Sequence, residues 1–281
     1  MLRAGAALLC LMAASCAAPP SFDSKDGRGG GGIVSTNPCA DAMLVELVPP
    51  ERIAAISHYS KDAAATSIPL EVAARFRSTT GTAEEVIAMR PDLVVASSFT
   101  SASTREAYAR AGLNTLYLDS PVTIEGSKAQ VTELARAIGA EGAGKAMNAR
   151  IDARVAAARF AGPPVPALVW IGGNLVSGGG NLLDELLGKA GFVNQAAHYG
   201  LQFTGTLPIE TVVTDPPRVM LVPDQPGRLA ASRAAELRSR TLAHLDGRVT
   251  EAEFPRSLVN CGGPVIPRAL ARLAEVRRGI R

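Results

Sequence analysis

Side chains able to do chemistry are scarce in this 281-residue sequence: four Cys, three His and one Trp. Cys39 and Cys261 leave three chemistries open. They can form a disulfide, ligate a soft metal as thiolates, or sit buried as two unrelated small hydrophobes. A hydrolytic constellation would use Ser177 or Cys39 as nucleophile with His58 as base. Its usual signatures are missing, since there is neither a Gly-x-Ser-x-Gly elbow nor a His-Glu-x-x-His helix. The Gly29-Gly30-Gly31-Gly32 run precedes a predicted strand instead of following one, so it fails as a phosphate loop. Zinc or manganese sites draw on several His and acids, which so few His make an unattractive reading here.

Composition narrows the classes further. Hydrophobic residues make up 47% and charged residues 20%, the balance of a chain that folds. Lys and Arg number 29 against 26 Asp and Glu, which is too even to point to a nucleic-acid partner.

The N-terminus reads as an address. Met1-Leu2-Arg3 is a short positive segment, and Ala4 to Ala14 is an apolar run suited to a signal peptide and too short to span a bilayer. Two cleavage readings stay open. Ala13-Ala14-Ser15-Cys16 resembles a lipobox, with Ala13 where Leu is preferred, and would make Cys16 the lipidation site. Ser15-Cys16-Ala17 offers a plain small-x-small site instead. Either way the chain is expected to be exported, which permits a disulfide. Residues 1–15 are expected as leader and 16–32 as a Pro-, Ser- and Gly-rich tether.

The remaining sequence alternates strand and helix patterns. Strands are predicted at Ile33 to Ser35, Arg52 to Ser57, Leu93 to Ala96 and Thr115 to Leu118. Helices are predicted at Ala42 to Leu47, Thr82 to Met89 and Ser103 to Ala111. The unbroken apolar run Leu93-Val94-Val95-Ala96 suits a parallel strand buried on both faces. A helix over Ile124 to Ile138 follows, then a long one from Glu141 to Phe160. A second run gives strands at Ala167 to Ile171, Val219 to Val222 and Arg256 to Val259, and helices at Asn181 to Ala190, Ser232 to Arg240 and Pro267 to Arg278. Glu84 and Pro91 are spaced as Glu210 and Pro217 are, and each pair precedes an apolar strand, an internal echo of one unit. The fold class is therefore α/β: a lobe over 33–140, a linking helix over 141–161 and a second lobe over 162–281.

Gly81-Thr82-Ala83-Glu84-Glu85-Val86-Ile87-Ala88-Met89-Arg90-Pro91-Asp92-Leu93-Val94-Val95 resembles the periplasmic substrate-binding proteins of ABC importers, in the helical-backbone class that carries cobalamin, ferric siderophores and haem. Pro50-Glu51-Arg52-Ile53, Leu182 to Leu187 with Ala190 to Asn194, and Leu207-Pro208-Ile209-Glu210 carry the same resemblance. It implies two parallel-sheet lobes joined by a rigid helix, a ligand cleft between them, no catalysis and no resident cofactor. It also implies a periplasmic monomer, touching membrane at most through a lipid anchor, that binds a small metal chelate. Glu84 and Glu210 fall where the family docks on Arg residues of the inner-membrane permease; as first-turn acids they would also complement helix dipoles.

Ligands of α/β lobes sit beyond the carboxyl ends of strands. That places Cys39, His58, Tyr59, Ser98, Phe99, Trp170, Ser177, Tyr199 and Cys261 as candidate ligand contacts, with Trp170 equally able to fill the core and His58 to serve as a hydrogen-bonded loop residue. His58 and Tyr59 fall where the family stacks on its cargo or, in haem binders, ligates it. Cobalamin or another corrinoid is the first cargo expected, a ferric siderophore the second and haem the third. An exported α/β hydrolase is the rival from another class.

Overall fold

The computed structural model describes residues 31–223, 243, 245 and 247–280. The expected leader, Cys16 with most of the tether, and the expected helix over 232–240 lie outside these residues.

The first lobe runs β1 (Ile33–Ser35), α1 (Pro38–Leu47), β2 (Ile53–Ser57), α2 (Leu70–Ala73), β3 (Ser78–Thr79), α3 (Ala83–Met89), β4 (Leu93–Ser97), α4 (Ala102–Arg110) and β5 (Thr115–Leu118). Its strands form one parallel sheet ordered β3-β2-β1-β4-β5. Alternation along the strands divides two cores. Ile33, Leu93 and Val95 face α1, packing with Met43 and Leu44, whereas Val34, Val94 and Ala96 face α3 and α4, packing with Val86 and Tyr108. Local chemistry starts the helices. Asn37 caps α1 by accepting from the Cys39 N–H, with Pro38 preset at the first helical position. Thr82 caps α3, and Arg90 ends it at a φ of 47° just before Pro91.

Two antiparallel helices follow, α5 (Ile124–Ala137) and α6 (Glu141–Ala158). The 18 residues of α6 rise about 27 Å. Met147 belongs to the first lobe's core and Ile151, one turn on, to the second lobe's. Likewise α5 gives Val131 and Leu134 to the first and Ile124 to the second.

The second lobe runs β6 (Val165–Gly172), β7 (Leu175–Ser177), α7 (Leu182–Lys189), β8 (Phe192–Asn194), α8 (Gln195–His198), β9 (Thr204–Thr206), α9 (Ile209–Thr214), β10 (Val219–Val222), β11 (Thr250–Glu253) and α10 (Val265–Gly279). Strands β8, β6, β10 and β11 are parallel neighbours in that order, matching β2-β1-β4-β5. The Glu-to-Pro echo thus becomes a structural equivalence: α3 leads into β4 as α9 leads into β10.

Two strand expectations are corrected. The second sheet is mixed, because Gly173, at a φ of 56°, and Asn174 turn β6 back into antiparallel β7, to which β9 adds. The expected strand over Arg256 to Val259 is a short 3-10 turn at Arg256–Leu258, and Thr250–Glu253 takes the edge of the sheet. Pro255 precedes that turn, and the acidic residues of β11 are tolerated because an edge strand has one free flank.

Candidate functional site

The carboxyl ends of both sheets face a shared cleft holding a cavity of about 320 Å³. Asn37, Ser97, Asp119 and Ser120 line it from the first lobe, each at or just beyond a strand end. Ile171, Ser177, Asn181 and Phe203 line it from the second. Cys39, Asn260 and Gly262 also border it. Position and size fit a small-ligand site.

Cys39 and Cys261 are disulfide-bonded, with Cα atoms 5.2 Å apart. The bond ties the first turn of α1 to the turn before α10. That turn packs closely: the Gly263 N–H donates to Ser127 Oγ at 2.7 Å, and a Cβ on residue 262 would collide with the same oxygen. The bonded sulfurs cannot act as thiolates, which corrects both the soft-metal and the Cys39-nucleophile readings.

The other sequence candidates divide. Ser177 ends β7 on the cavity wall, where its Oγ accepts from Asn181 Nδ2 at 3.0 Å. Ser98 Oγ donates to Asp119 at 2.9 Å, one step behind the wall. His58 and Tyr59 follow β2 as a stacked pair with ring centroids 4.0 Å apart, outside the cavity lining. His58 Nδ1 lies 3.3 Å from the Thr79 carbonyl, so Ser177 and His58 each have other partners and form no nucleophile–base pair. Tyr59 is 52% exposed and Phe99 78% exposed, both beyond the carboxyl ends of first-lobe strands and outside the lining.

Two candidates are corrected. Trp170 is 1% exposed and packs in the second lobe's core, with its Nε1 donating to the Gly173 carbonyl at 2.7 Å. Strand alternation decides this, since its neighbour Ile171 is the one that lines the cavity. Tyr199 is half-buried and donates its hydroxyl to the Asp215 carbonyl, away from the lining. Burial pushes that phenol above its usual range.

Asp119 was not marked by the sequence, although it follows β5 as the other wall residues follow their strands. Asn181, Phe203 and Asn260 fall in loops expected at the cleft, but their side chains carried no motif. The Ser120 N–H and the Ser98 hydroxyl both donate to Asp119 Oδ1 and hold its carboxyl below the usual range, so it is ionised at neutral pH. Asp41, fully buried on α1, behaves oppositely: burial raises it to about 7 against hydrogen bonds from Ser60 and Ser57. It accepts from Ser60 Oγ at 2.6 Å and the Ser57 N–H at 2.9 Å, fixing the start of the His58–Tyr59 loop.

Among the described residues no group of three or more His, Cys, Asp and Glu is placed to hold a metal ion, and no helix is long and apolar enough to cross a membrane. Glu84 and Glu210 are exposed in the first turns of α3 and α9, at equivalent places in the two lobes. Neither forms an ion pair with another described residue.

Comparison with known proteins agrees with this architecture. The periplasmic binding protein family matches residues 33–246. Among solved structures, the periplasmic heme-binding protein RhuT from Roseiflexus sp. RS-1 superposes with a TM-score of 0.69 at 20% identity, covering 90% of this chain and 98% of its own. A periplasmic heme-binding protein from Pseudomonas aeruginosa gives 0.68 at 19%, covering 87% and 91%. The periplasmic vitamin B12-binding protein BtuF of Vibrio cholerae gives 0.66 at 16%, covering 88% and 96%. No curated protein matches the chain. The chain therefore belongs to the periplasmic binding protein family, the solute-binding components that serve ABC permeases and bind their cargo without acting on it as enzymes.

Proposed function

We propose that this chain captures a metal chelate in its interlobe cleft and delivers it to an inner-membrane permease. The observation that carries the reading is the cavity lined from both lobes at the carboxyl ends of their strands. A corrinoid is the first cargo: its amide-bearing rim suits the Asn37, Asn181, Asn260 and Ser97 groups around the cavity. A ferric siderophore would use the same groups. Haem is the second reading, because two of the superposing proteins are heme-binding proteins. Glu84 and Glu210 would form the two-point contact with permease arginines. The chain would act as a monomer, anchored through Cys16 if the lipobox is used.

Isothermal calorimetry of the mature protein with cyanocobalamin, diaquacobinamide, haemin and ferric siderophores tests this. A saturable response at micromolar affinity or tighter to one of them supports the reading. Heat of dilution alone from all of them overturns it.

A further inference from the structure

Two residues that line the cavity have opposed characters. Asp119 of the first lobe presents a carboxylate whose Oδ1 is held by the Ser98 hydroxyl at 2.9 Å and the Ser120 N–H at 2.8 Å. Among the described residues that line the cavity it is the one ionisable side chain. The neighbouring Arg105 is engaged elsewhere: it donates to the Thr100 carbonyl at 3.0 Å and to the Ser98 carbonyl, and lies over the Tyr117 ring.

From the second lobe, Phe203 is 59% exposed at the same cavity. Its φ of 55° lies in the left-handed region, which a bulky side chain rarely occupies. The backbone is pinned there. The Phe203 N–H donates to the Gly179 carbonyl at 2.7 Å, and its own carbonyl accepts from the Gly178 N–H and from Asn181 Nδ2 at 3.1 Å. Close contact explains the partners, since a Cβ on residue 178 would strike the Leu201 carbonyl. Among the described residues Phe203 belongs to neither core cluster of the second lobe, and a left-handed site of this kind favours Gly. Strained, overdetermined backbone at a cavity wall is the usual mark of a positioned contact residue.

We infer that the cleft selects a neutral or cationic ligand that presents hydrogen-bond donors to Asp119 and an apolar face to Phe203. A ligand with peripheral carboxylates or catecholates would set like charge against Asp119. This rests on the metal-chelate reading and names the charge class of its cargo.

The test is a charge series of chelates titrated into the wild-type protein and into Asp119→Asn, Phe203→Gly and Phe203→Ala. The ferric probes are cationic ferrioxamine B, neutral ferrichrome and anionic ferric enterobactin, with cationic diaquacobinamide and anionic haemin as a second pair. Affinity should fall from cationic to anionic within each set, and D119N should compress that spread at least tenfold. Both Phe203 variants should weaken the preferred probe at least tenfold. Phe203→Gly should at the same time raise the melting temperature, which separates loss of the contact from loss of the fold. If the anionic probes bind best, or D119N leaves the order and spread intact, the charge assignment falls and the metal-chelate reading stands. Unchanged affinity in both Phe203 variants removes that residue from the site. Binding by none of the probes overturns the metal-chelate reading and this inference with it.

Discussion

Replacing both bonded cysteines, Cys39→Ala with Cys261→Ala, removes a cross-link that closes a loop of 222 residues. In the chain-entropy view such a bond acts on the unfolded ensemble, and a loop of that size corresponds to about 5 kcal/mol at 25 °C. This is a large share of the ~5–15 kcal/mol that holds a typical domain folded. The native contacts around the bond should survive the exchange, because the Gly263 N–H still meets Ser127 Oγ. Equilibrium unfolding in urea, followed by far-ultraviolet circular dichroism and by Trp170 fluorescence, measures the difference. The double variant should unfold at a markedly lower midpoint, and dithiothreitol should move the wild type to the same place. A loss below about 1 kcal/mol, with both probes agreeing, would refute the reasoning and mean that the unfolded chain is already constrained without the bond.

Three further outcomes are expected. Burial raises the Asp41 carboxyl from 3.8 to about 7, so between those pH values the folded state holds a proton that the unfolded state has lost. Stability should therefore fall as pH rises from about 4 to 7, by up to about 4 kcal/mol for the full shift, and Asp41→Asn should flatten that slope in melts across the range. Trp170→Ala empties a fully buried site and should destabilise by about 3–5 kcal/mol in denaturant titrations, while Trp170→Phe should leave ligand affinity within a few-fold of wild type. Glu84→Ala with Glu210→Ala should abolish cargo uptake by cells and leave calorimetric affinity unchanged; uptake at the wild-type rate would remove the docking assignment.

The parts of the fold legible in the sequence were those where burial writes a simple pattern. Leu93 to Ala96 is apolar throughout because helices cover both faces of its sheet, and Pro91 and Pro217 mark where helices must stop. The short β7 and β9 were hidden, since three-residue strands, one followed by Gly178 and the other centred on Gly205, leave no period to count. Thr250–Glu253 was passed over in favour of the more apolar Arg256 to Val259 because an edge strand need not be hydrophobic. At the site, the rule that ligands gather at strand ends led to Ser177 and to loops that border the cavity. It could not tell Trp170 from Ile171, whose facing depends on strand register, nor see that Phe203 would be held left-handed by the glycines opposite it.

The sharing of core residues along α5, α6 and α10 bears on how such a chain could be divided or rearranged. The matching strand orders invite the view of two duplicated modules, each able to stand alone. Yet Val265 and Cys261, near the far end of the chain, complete the packing around Met43 and Val131 in the first module. Ile124 and Ile151 in turn belong to the core of the second. A fragment ending after α6 would expose that seam to water, and one beginning at β6 would lack its lining. With their cores interlocked in this way, neither half is a self-contained piece, and the smallest unit of this architecture that closes its own core is the pair.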